Sequence, residues 1–548
     1  MKRMRTEGMT CEGCAGSVAD ALSGAGAETP RVDFDAGEAL FDAPGVSAEA
    51  LRAAVEAAGY RVLAIDDAAA PDSGPVHRGG PSRPSVPDLV VIGSGGAAFA
   101  ASIRARDLGA EVAMCESATI GGTCVNIGCV PSKALLAAAN ARQAAGHNPF
   151  PGIATTAGPV DLAALVAGKD ELVDQLRFEK YERLAEEYGF TLLCGRGSFT
   201  AADRFVCDGE EVTADQFLVA TGASPAVPAI PGLAEAGYLT STTAFELRDL
   251  PSSLVVIGAN AIGLEVGQLF LELGTSITFL EAASRVAPLD EPEISAALTE
   301  VLRRRGAEVH TSASVTGVER RGEQRVVIFS VDGSELQVQA DQVLVATGRR
   351  PNTAGLGLEA AGVELGERGA VMVDEFCTTS NPRIWAAGDV TGAPQFVYVA
   401  AAQGALVADN AIGKLGRSID WTGLPKITFT SPQVASVGLT EEEATRAGRR
   451  VETRVLTLDA VPRALVERDT TGVCKIVAEE GLGKVLGIHL LARGAGEVIL
   501  AATYAIKANM TVAQLADTWA PYLTMAEALK LTAQAFTRDV SRLSCCAA

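Results

Sequence analysis

Six of the eleven cysteines in this sequence fall into pairs: Cys11 with Cys14, Cys124 with Cys129, and the adjacent Cys545 and Cys546. Paired thiols support two kinds of chemistry. They hold a soft metal ion as thiolates, or they exchange two electrons as a dithiol and its disulfide. Cys11 and Cys14 have C-x-x-C spacing in GMTCEGC, at the start of an expected helix. A helix N-terminus lowers thiol pKa and so supplies thiolate. Two sulfur ligands suit a soft, two-coordinate ion and are too few for structural zinc; a thioredoxin-like redox motif is the alternative. Cys545 and Cys546 cannot readily pair with each other, because neighbouring side chains point apart and disulfide geometry is demanding. On a chain end, where mobility is usual, they would act at a distance from their own fold. Cys115, Cys194, Cys207, Cys377 and Cys474 are single residues in apolar or loop contexts and read as inert small core residues.

Two glycine-rich turns stand behind this thiol chemistry. DLVVIGSGGAAFAASIRARDLGAEVAMCE, from residue 88, reads strand–turn–helix–strand, with Gly93 and Gly95 in a G-x-G-x-x-A pattern. The first glycine permits the tight turn and the second lets backbone approach a pyrophosphate at the helix N-terminus. Glu116 ends the next strand, where a carboxylate accepts ribose hydroxyls. SLVVIGANAIGLEVGQLFLELGTSITFLE repeats the pattern with Gly258, Gly263 and Glu281, and with Asn260 where the middle glycine is expected. Two such units predict two dinucleotide sites. At the second, Glu281 favours a free ribose 2′-hydroxyl, hence NADH, while Arg285 is the nearby candidate for a 2′-phosphate.

Directly after Glu116 comes GGTCVNIGCVPSK, residues 121–133, with Thr123, Cys124, Cys129 and Lys133. This motif resembles the active site of the flavoprotein disulfide reductases. The resemblance extends over residues 88–548 and includes LVATGASP with Thr221 and Gly222, LVATGRRPN with Gly348, and IWAAGDVTG with Asp389. It implies FAD as cofactor and NADPH, with NADH possible, as electron donor. It also implies Cys124 as the exchanging thiol, Cys129 as the thiol against the flavin, Lys133 near the flavin paired with Glu265, and Asp389 on the ribityl chain.

Members acting on organic disulfides carry a histidine in an H-P-T-x-x-E segment near the C-terminus, as general acid. Here that segment reads Tyr522-Leu523-Thr524-Met525-Ala526-Glu527, and the four histidines, His77, His147, His310 and His489, lie elsewhere. Tyr522, the segment KYE with Tyr181, PQFVYVAAAQG at 394–404 and the terminal Ser544-Cys545-Cys546 resemble the mercuric-ion branch of the family. The resemblance implies Hg(II), arriving as thiol complexes, as substrate. It would pass from Cys545 and Cys546 of one subunit to Cys124 and Cys129 of the other in a homodimer. The alternatives are a reductase of an organic disulfide or of another soft metal. GMTCEGC resembles heavy-metal-associated domains, so Cys11 and Cys14 would bind the same metal and, on a tether, raise its local concentration.

The elements that must position these residues follow from pattern. Residues 1–67 alternate as β-α-β-β-α-β, a ferredoxin-like unit. Residues 68–87, rich in Pro, Gly and Ser, read as a flexible linker. An FAD-binding domain is expected over 88–235 and 351–424, with an NAD(P)-binding domain over 236–350 between them. From 425 to 548 strand-like segments precede helices, as in an α+β interface domain. The whole is α/β: two Rossmann-like domains, a C-terminal α+β dimerisation domain and the N-terminal metal-binding unit. A net charge of −21 argues against nucleic acid or an anionic membrane as partner. No secretory signal or membrane-length apolar run is visible, so the expected location is cytoplasmic.

Overall fold

The computed structural model describes residues 2–7, 18–19, 21–33, 38–58, 60–67, 86–481 and 483–542. Cys11, Cys14, His77, Cys545, Cys546 and nearly all of the expected linker lie outside them.

The chain divides into two compact units, 1–85 and 86–548. In the first, strands Lys2–Glu7, Glu28–Asp33, Glu38–Asp42 and Arg61–Asp67 form one antiparallel sheet, and Lys2–Glu7 runs between the third and fourth strands. Helical residues at 18–24 (residue 20 excepted) and the helix Ala48–Ala57 complete the expected β-α-β-β-α-β order. Met4, Leu22, Phe41, Leu51 and Val55 are fully buried between sheet and helices. The apolar stripe of Ala48–Ala57 is what closes this small core, and Ser47 caps its first turn by accepting from the Ala50 amide.

The second unit holds the two nucleotide-type folds. Leu89–Ile92 is buried on both faces, as an all-apolar strand inside a parallel sheet must be. It lies third in a parallel sheet in the order Ile384–Ala386, Gln216–Val219, Leu89–Ile92, Val112–Glu116, Thr191–Cys194. A strand from beyond residue 380 thus closes a sheet begun at residue 89. The helices Gly96–Asp107 and Val397–Ala411 meet closely because their contact residues are small. A Cβ on Gly404 would lie 2.1 Å from the Ala97 carbonyl oxygen. Between these stretches, Glu308–His310, Ser276–Leu280, Ser253–Ile257 and Gln342–Val345 make the second parallel sheet. Each parallel sheet is accompanied by a three-stranded antiparallel one, at 197–212 and 314–340, that the sequence pattern did not separate from its surroundings.

From residue 425 a five-stranded antiparallel sheet forms, in the order Pro425–Thr428, Gln433–Gly438, Val485–Ala492, Val473–Glu479, Val451–Thr457. Helices Ala495–Lys507 and Glu527–Gln534 pack on it. Lys475, buried on this sheet, reaches Glu441 at 2.7 Å and Glu291 and Glu293 at 2.9 Å. Three carboxylates around one buried ammonium satisfy its charge and tie this sheet to the second nucleotide fold.

Candidate active site

Cys124 and Cys129 sit on opposite sides of a break between two helices. Cys124 lies in the short helix Gly122–Asn126, and Cys129 is the first residue of the helix Cys129–Gly146. The break brings the two free thiols within hydrogen-bonding reach of each other. The Cys124 thiol donates to Cys129, and that bond, with Lys133 beyond it, holds Cys129 down at about 7 against the opposing effect of burial. The uncapped helix N-terminus at Gly128 adds its dipole in the same direction. Cys124 moves the other way, its thiol held protonated by the same bond and by burial. The pair is therefore asymmetric: one sulfur that ionises around neutral pH and one that stays a thiol.

That asymmetry sets a pH dependence. Thiolate is the nucleophile, so alkylation of Cys129 in the reduced enzyme is expected to rise through about pH 7 and to fade below it as the sulfur protonates. Labelling by iodoacetamide, read by mass spectrometry across pH, checks this. In Lys133→Met the rise moves to higher pH, because the nearby positive charge is gone.

Lys133 is one turn along the same helix as Cys129. Its Nζ lies 2.7 Å from Glu265 Oε2 and 4.4 Å from the centre of the Phe429 ring. Glu265, buried on the helix Ala261–Leu273, accepts from the Phe429 amide with its other oxygen at 2.8 Å. On the same helix Gln268 exchanges two hydrogen bonds of 2.7 Å with the Ser431 backbone. The helix of the second nucleotide fold thus clasps the loop of the C-terminal sheet and the cysteine-bearing helix together. Phe429 and Ser431 were not singled out from the sequence, and nothing in their local pattern marks them.

Tyr181 lies in a π-helical segment, Phe178–Glu182, a local distortion frequent at functional sites. Its ring packs edge-on to Phe99 at 4.8 Å and over Gly121, where a Cβ would lie 3.2 Å from the ring and 2.6 Å from Val125. Burial and the two cysteines hold its hydroxyl above the usual tyrosine range, so it stays protonated and can donate toward sulfur. Tyr522 is half exposed, on the segment leading into Glu527–Gln534, where Leu523 donates its amide to Glu527.

The glycine turns fit dinucleotides. Gly93 has φ +107°, and a Cβ there would lie 2.5 Å from the Ala220 carbonyl oxygen. Helix Gly96–Asp107 starts with no side-chain cap, so its first amides are free to meet a pyrophosphate. A Cβ on Gly95 would meet nothing nearer than the Gly122 Cα at 3.9 Å, so the space beside this backbone is open to a ligand. Glu116 accepts from Ser94 at 2.5 Å and from the Ala118 amide at 2.7 Å, which fixes its carboxylate at the strand end. Thr221 and Asn352 exchange hydrogen bonds of 2.8 and 2.9 Å. Ala223–Pro225, just past Gly222, pairs with Arg349–Pro351, just past Gly348, so the segments that close the two folds meet. Asp389 is turned inward near Arg349, and burial raises its pKa. The Gly388 amide ahead of it is held by the buried Gln403 at 2.8 Å. Thr123 is half-buried beside Cys124.

In the second fold Asn260 has φ −104°, a conformation any residue adopts, so replacing glycine there costs no backbone strain. Glu281 is buried and accepts the Ala259 and Ala283 amides at 2.6 and 2.8 Å. Arg285 is turned to the Pro288 and Asp290 carbonyls.

One expectation is corrected. Cys115 and Cys207 are not isolated: their sulfurs lie 2.9 Å apart. Cys194 is exposed and so is no core residue. Cys115 and Cys207 come from separate strands, and sequence spacing carries no trace of their meeting. Cys377 and Cys474 are buried singly, with thiols pushed up to about 12 by burial, as inert core residues should be. Among the described residues no cluster of three or more metal-ligating side chains occurs, and no helix is long and apolar enough to cross a membrane.

Comparison with known proteins matches this geometry. Residues 87–404 match the pyridine nucleotide-disulphide oxidoreductase family, and 424–533 match its dimerisation domain. Residues 3–61 match the heavy-metal-associated domain. A mercuric reductase of Staphylococcus aureus is 49% identical over 541 residues, covering 99% of this chain and 98% of that protein. A mercuric reductase of Streptomyces lividans is 55% identical over 466 residues, 84% of this chain and 98% of that one. Among solved structures, the Cu(II) complex of the HOCl-induced flavoprotein disulfide reductase RclA from Escherichia coli is 31% identical. It superposes with a TM-score of 0.73 over 80% of this chain and 98% of that one. The exposed Leu500, Tyr504 and Trp519 fall inside the dimerisation match. The family uses FAD and a pyridine nucleotide, and by sequence, fold and site this chain belongs to the mercuric reductases of the pyridine nucleotide-disulphide oxidoreductase family.

Proposed function

We propose that this chain reduces Hg(II), presented as thiol complexes, to Hg(0) at the expense of NAD(P)H, as a cytoplasmic homodimer serving mercury detoxification. The observation that carries the reading is the asymmetric pair Cys124 and Cys129 beside Lys133 and Glu265, with Tyr522 where disulfide reductases carry a histidine acid. The exchanging thiol of Cys124 displaces a thiol from the incoming metal as its proton leaves, and the Cys129 thiolate follows as second ligand, giving the linear two-sulfur site that a soft ion prefers. Bound FAD supplies the two electrons, drawn from the nicotinamide, that convert Hg(II) to Hg(0). As the metal leaves, both sulfurs keep their bonding electrons and return as thiolates. Lys133 screens that returning charge, and Tyr181 donates a hydrogen bond to it. Gly93, Gly95, Glu116, Thr123, Thr221, Gly222 and Asp389 would hold FAD; Gly258, Gly263, Glu281 and Gly348 would hold the coenzyme. Kinship favours NADPH as coenzyme, while the fixed carboxylate of Glu281 gives NADH a foothold through its free 2′-hydroxyl.

The test follows NAD(P)H oxidation with Hg(II) in excess small thiol, and separately with oxidised glutathione, mycothione and lipoamide. Turnover is expected with Hg(II) and not with the disulfides. Rapid turnover of any disulfide, with Hg(II) acting only as inhibitor, would sink the proposal. Cys545 and Cys546 are assigned the delivery of Hg(II) to the partner's Cys124 and Cys129, and Cys11 and Cys14 its capture at the N-terminus. Replacing both Cys545 and Cys546 by alanine is expected to lower turnover of Hg(II) held by bulky thiols about tenfold or more, the loss of an intramolecular transfer. Reduction of the flavin by coenzyme should stay normal. Unchanged Hg(II) turnover would remove the delivery role.

A further inference from the structure

A second sulfur cluster lies in the first nucleotide fold, apart from the site above. Cys115 is on the strand Val112–Glu116, one residue before Glu116, and Cys207 ends the strand Arg204–Cys207. Both are buried. Their sulfurs lie 2.9 Å apart, within 1 Å of the disulfide bond length of about 2.05 Å.

Backbone holds this approach on both sides. The Gly195 amide donates to the Glu116 carbonyl at 2.9 Å, and the Asp208 amide donates to the Arg196 carbonyl at 3.1 Å. Gly195 has φ +156°, and a Cβ there would lie 2.6 Å from the Asp208 Cβ, so only glycine lets the hairpin close on the strand end. The Cys115 thiol also points at the Gly195 carbonyl, at 3.6 Å. Burial and Cys207 keep it protonated, so on its own it resists oxidants. Cys194 ends the strand Thr191–Cys194 and is exposed, and its register with Glu116 turns its side chain to the opposite face of the sheet from Cys115, so it stands outside the pair.

We propose that Cys115 and Cys207 are a second dithiol–disulfide couple of this chain, oxidised by hydroperoxides. The Cys207 sulfur attacks the peroxide O–O bond, becomes a sulfenic acid and releases water. Cys115, 2.9 Å away, attacks that sulfur, expelling a second water and closing the Cys115–Cys207 disulfide. In sum, two thiols lose two electrons and two protons, and hydrogen peroxide becomes two molecules of water. The resulting bond would join the strand that carries Glu116 to the hairpin at 204–212.

The holoenzyme, reduced and then treated with hydrogen peroxide, is denatured in alkylating agent and digested with trypsin plus a glutamyl endopeptidase. The sequence lets this digest separate Cys115 (112–116) from Cys124 and Cys129, and Cys207 (205–210) from Cys194. Peptides 112–116 and 205–210 are expected joined, with Cys194 alkylated. In Cys194→Ser the cross-link should form at an unchanged rate, since Cys194 faces away from the pair. Cys207→Ser should lose the cross-link and keep Hg(II) turnover. The proposal is overturned if Cys115 and Cys207 are both alkylated in molecules whose Cys124 and Cys129 have closed to a disulfide. It is also overturned if Cys115 or Cys207 is found joined to Cys194 instead.

Discussion

Replacing Cys129 with serine is expected to lower Hg(II)-dependent NAD(P)H oxidation by about a thousandfold or more, some 4 kcal/mol of barrier, with FAD content unchanged. The size follows from two losses at one atom. A hydroxyl is a hard ligand that does not compete with solution thiols for a soft ion, so the metal is left with one protein sulfur. A serine hydroxyl also does not ionise near neutral pH, so the thiolate that completes the two-sulfur site is gone. Cys124→Ser should be as damaging by a different route. It removes the hydrogen bond that holds Cys129 as a thiolate at about 7, so the remaining thiol shifts upward as well as losing its partner. The two variants are therefore distinguishable. Alkylation of the remaining cysteine should be slow at neutral pH in Cys129→Ser, where Cys124 is left, and should move to higher pH in Cys124→Ser. Steady-state turnover, flavin absorbance and labelling rates check all three statements. Retention of more than about a tenth of turnover in either variant would mean that one sulfur suffices, against the requirement of a soft metal for two.

The chemistry of this site was more legible in the sequence than its support. Gly93, Cys124, Cys129 and Lys133 lie within a stretch of about forty residues, and short-range chemistry leaves short-range patterns: the strand-to-helix turn needs glycine, and the redox pair sits within one helix break. The two parallel sheets were legible for the same reason, since LVVI and SLVVI are continuous apolar runs bounded by glycine. What binds the site together is long-range. Glu265 could be paired with Lys133 only by resemblance, because 132 residues separate them. The backbone of Phe429 and Ser431, which Glu265 and Gln268 grip, carries no side-chain signature. The meeting of Cys115 with Cys207 was read wrongly from sequence because it depends on how one hairpin closes over Gly195, a tertiary event. The antiparallel sheets at 197–212 and 314–340 were missed because their strands alternate weakly and are partly exposed. Asn260 shows the converse: a departure from the motif carried no strain once the backbone angle was known.

Gly263→Ala, a change of one methyl group, is expected to uncouple the coenzyme from the flavin. The helix Ala261–Leu273 leaves the turn after Ser253–Ile257 so closely that a Cβ on Gly263 would lie 1.9 Å from the Gly258 carbonyl oxygen and 3.3 Å from the Ala346 Cβ. The first contact is with backbone, which cannot rotate away as a side chain would. The helix must lift by more than an ångström, and it is pinned elsewhere. Gly267 already sits where a Cβ would be 2.4 Å from the Phe279 ring, Glu265 holds Lys133, and Gln268 holds Ser431. Overpacking of this kind costs about 1–3 kcal/mol and more where backbone must move, so the melting temperature should fall. The functional effect should be larger, because the displaced helix start is where the coenzyme pyrophosphate would bind. Flavin reduction by NAD(P)H is expected to slow about a hundredfold, the consequence of misplacement by about an ångström, while dithionite still reduces the flavin at the normal rate. Gly168→Ala is the matched control. It lies in the helix Leu162–Arg177 with nothing within 4 Å of its Cβ, and it should raise stability by about 0.5–1 kcal/mol without affecting either reduction. Normal reduction by NAD(P)H in Gly263→Ala would show that helix and turn can part without cost to the site, and that the close contact at Gly263 serves the fold alone.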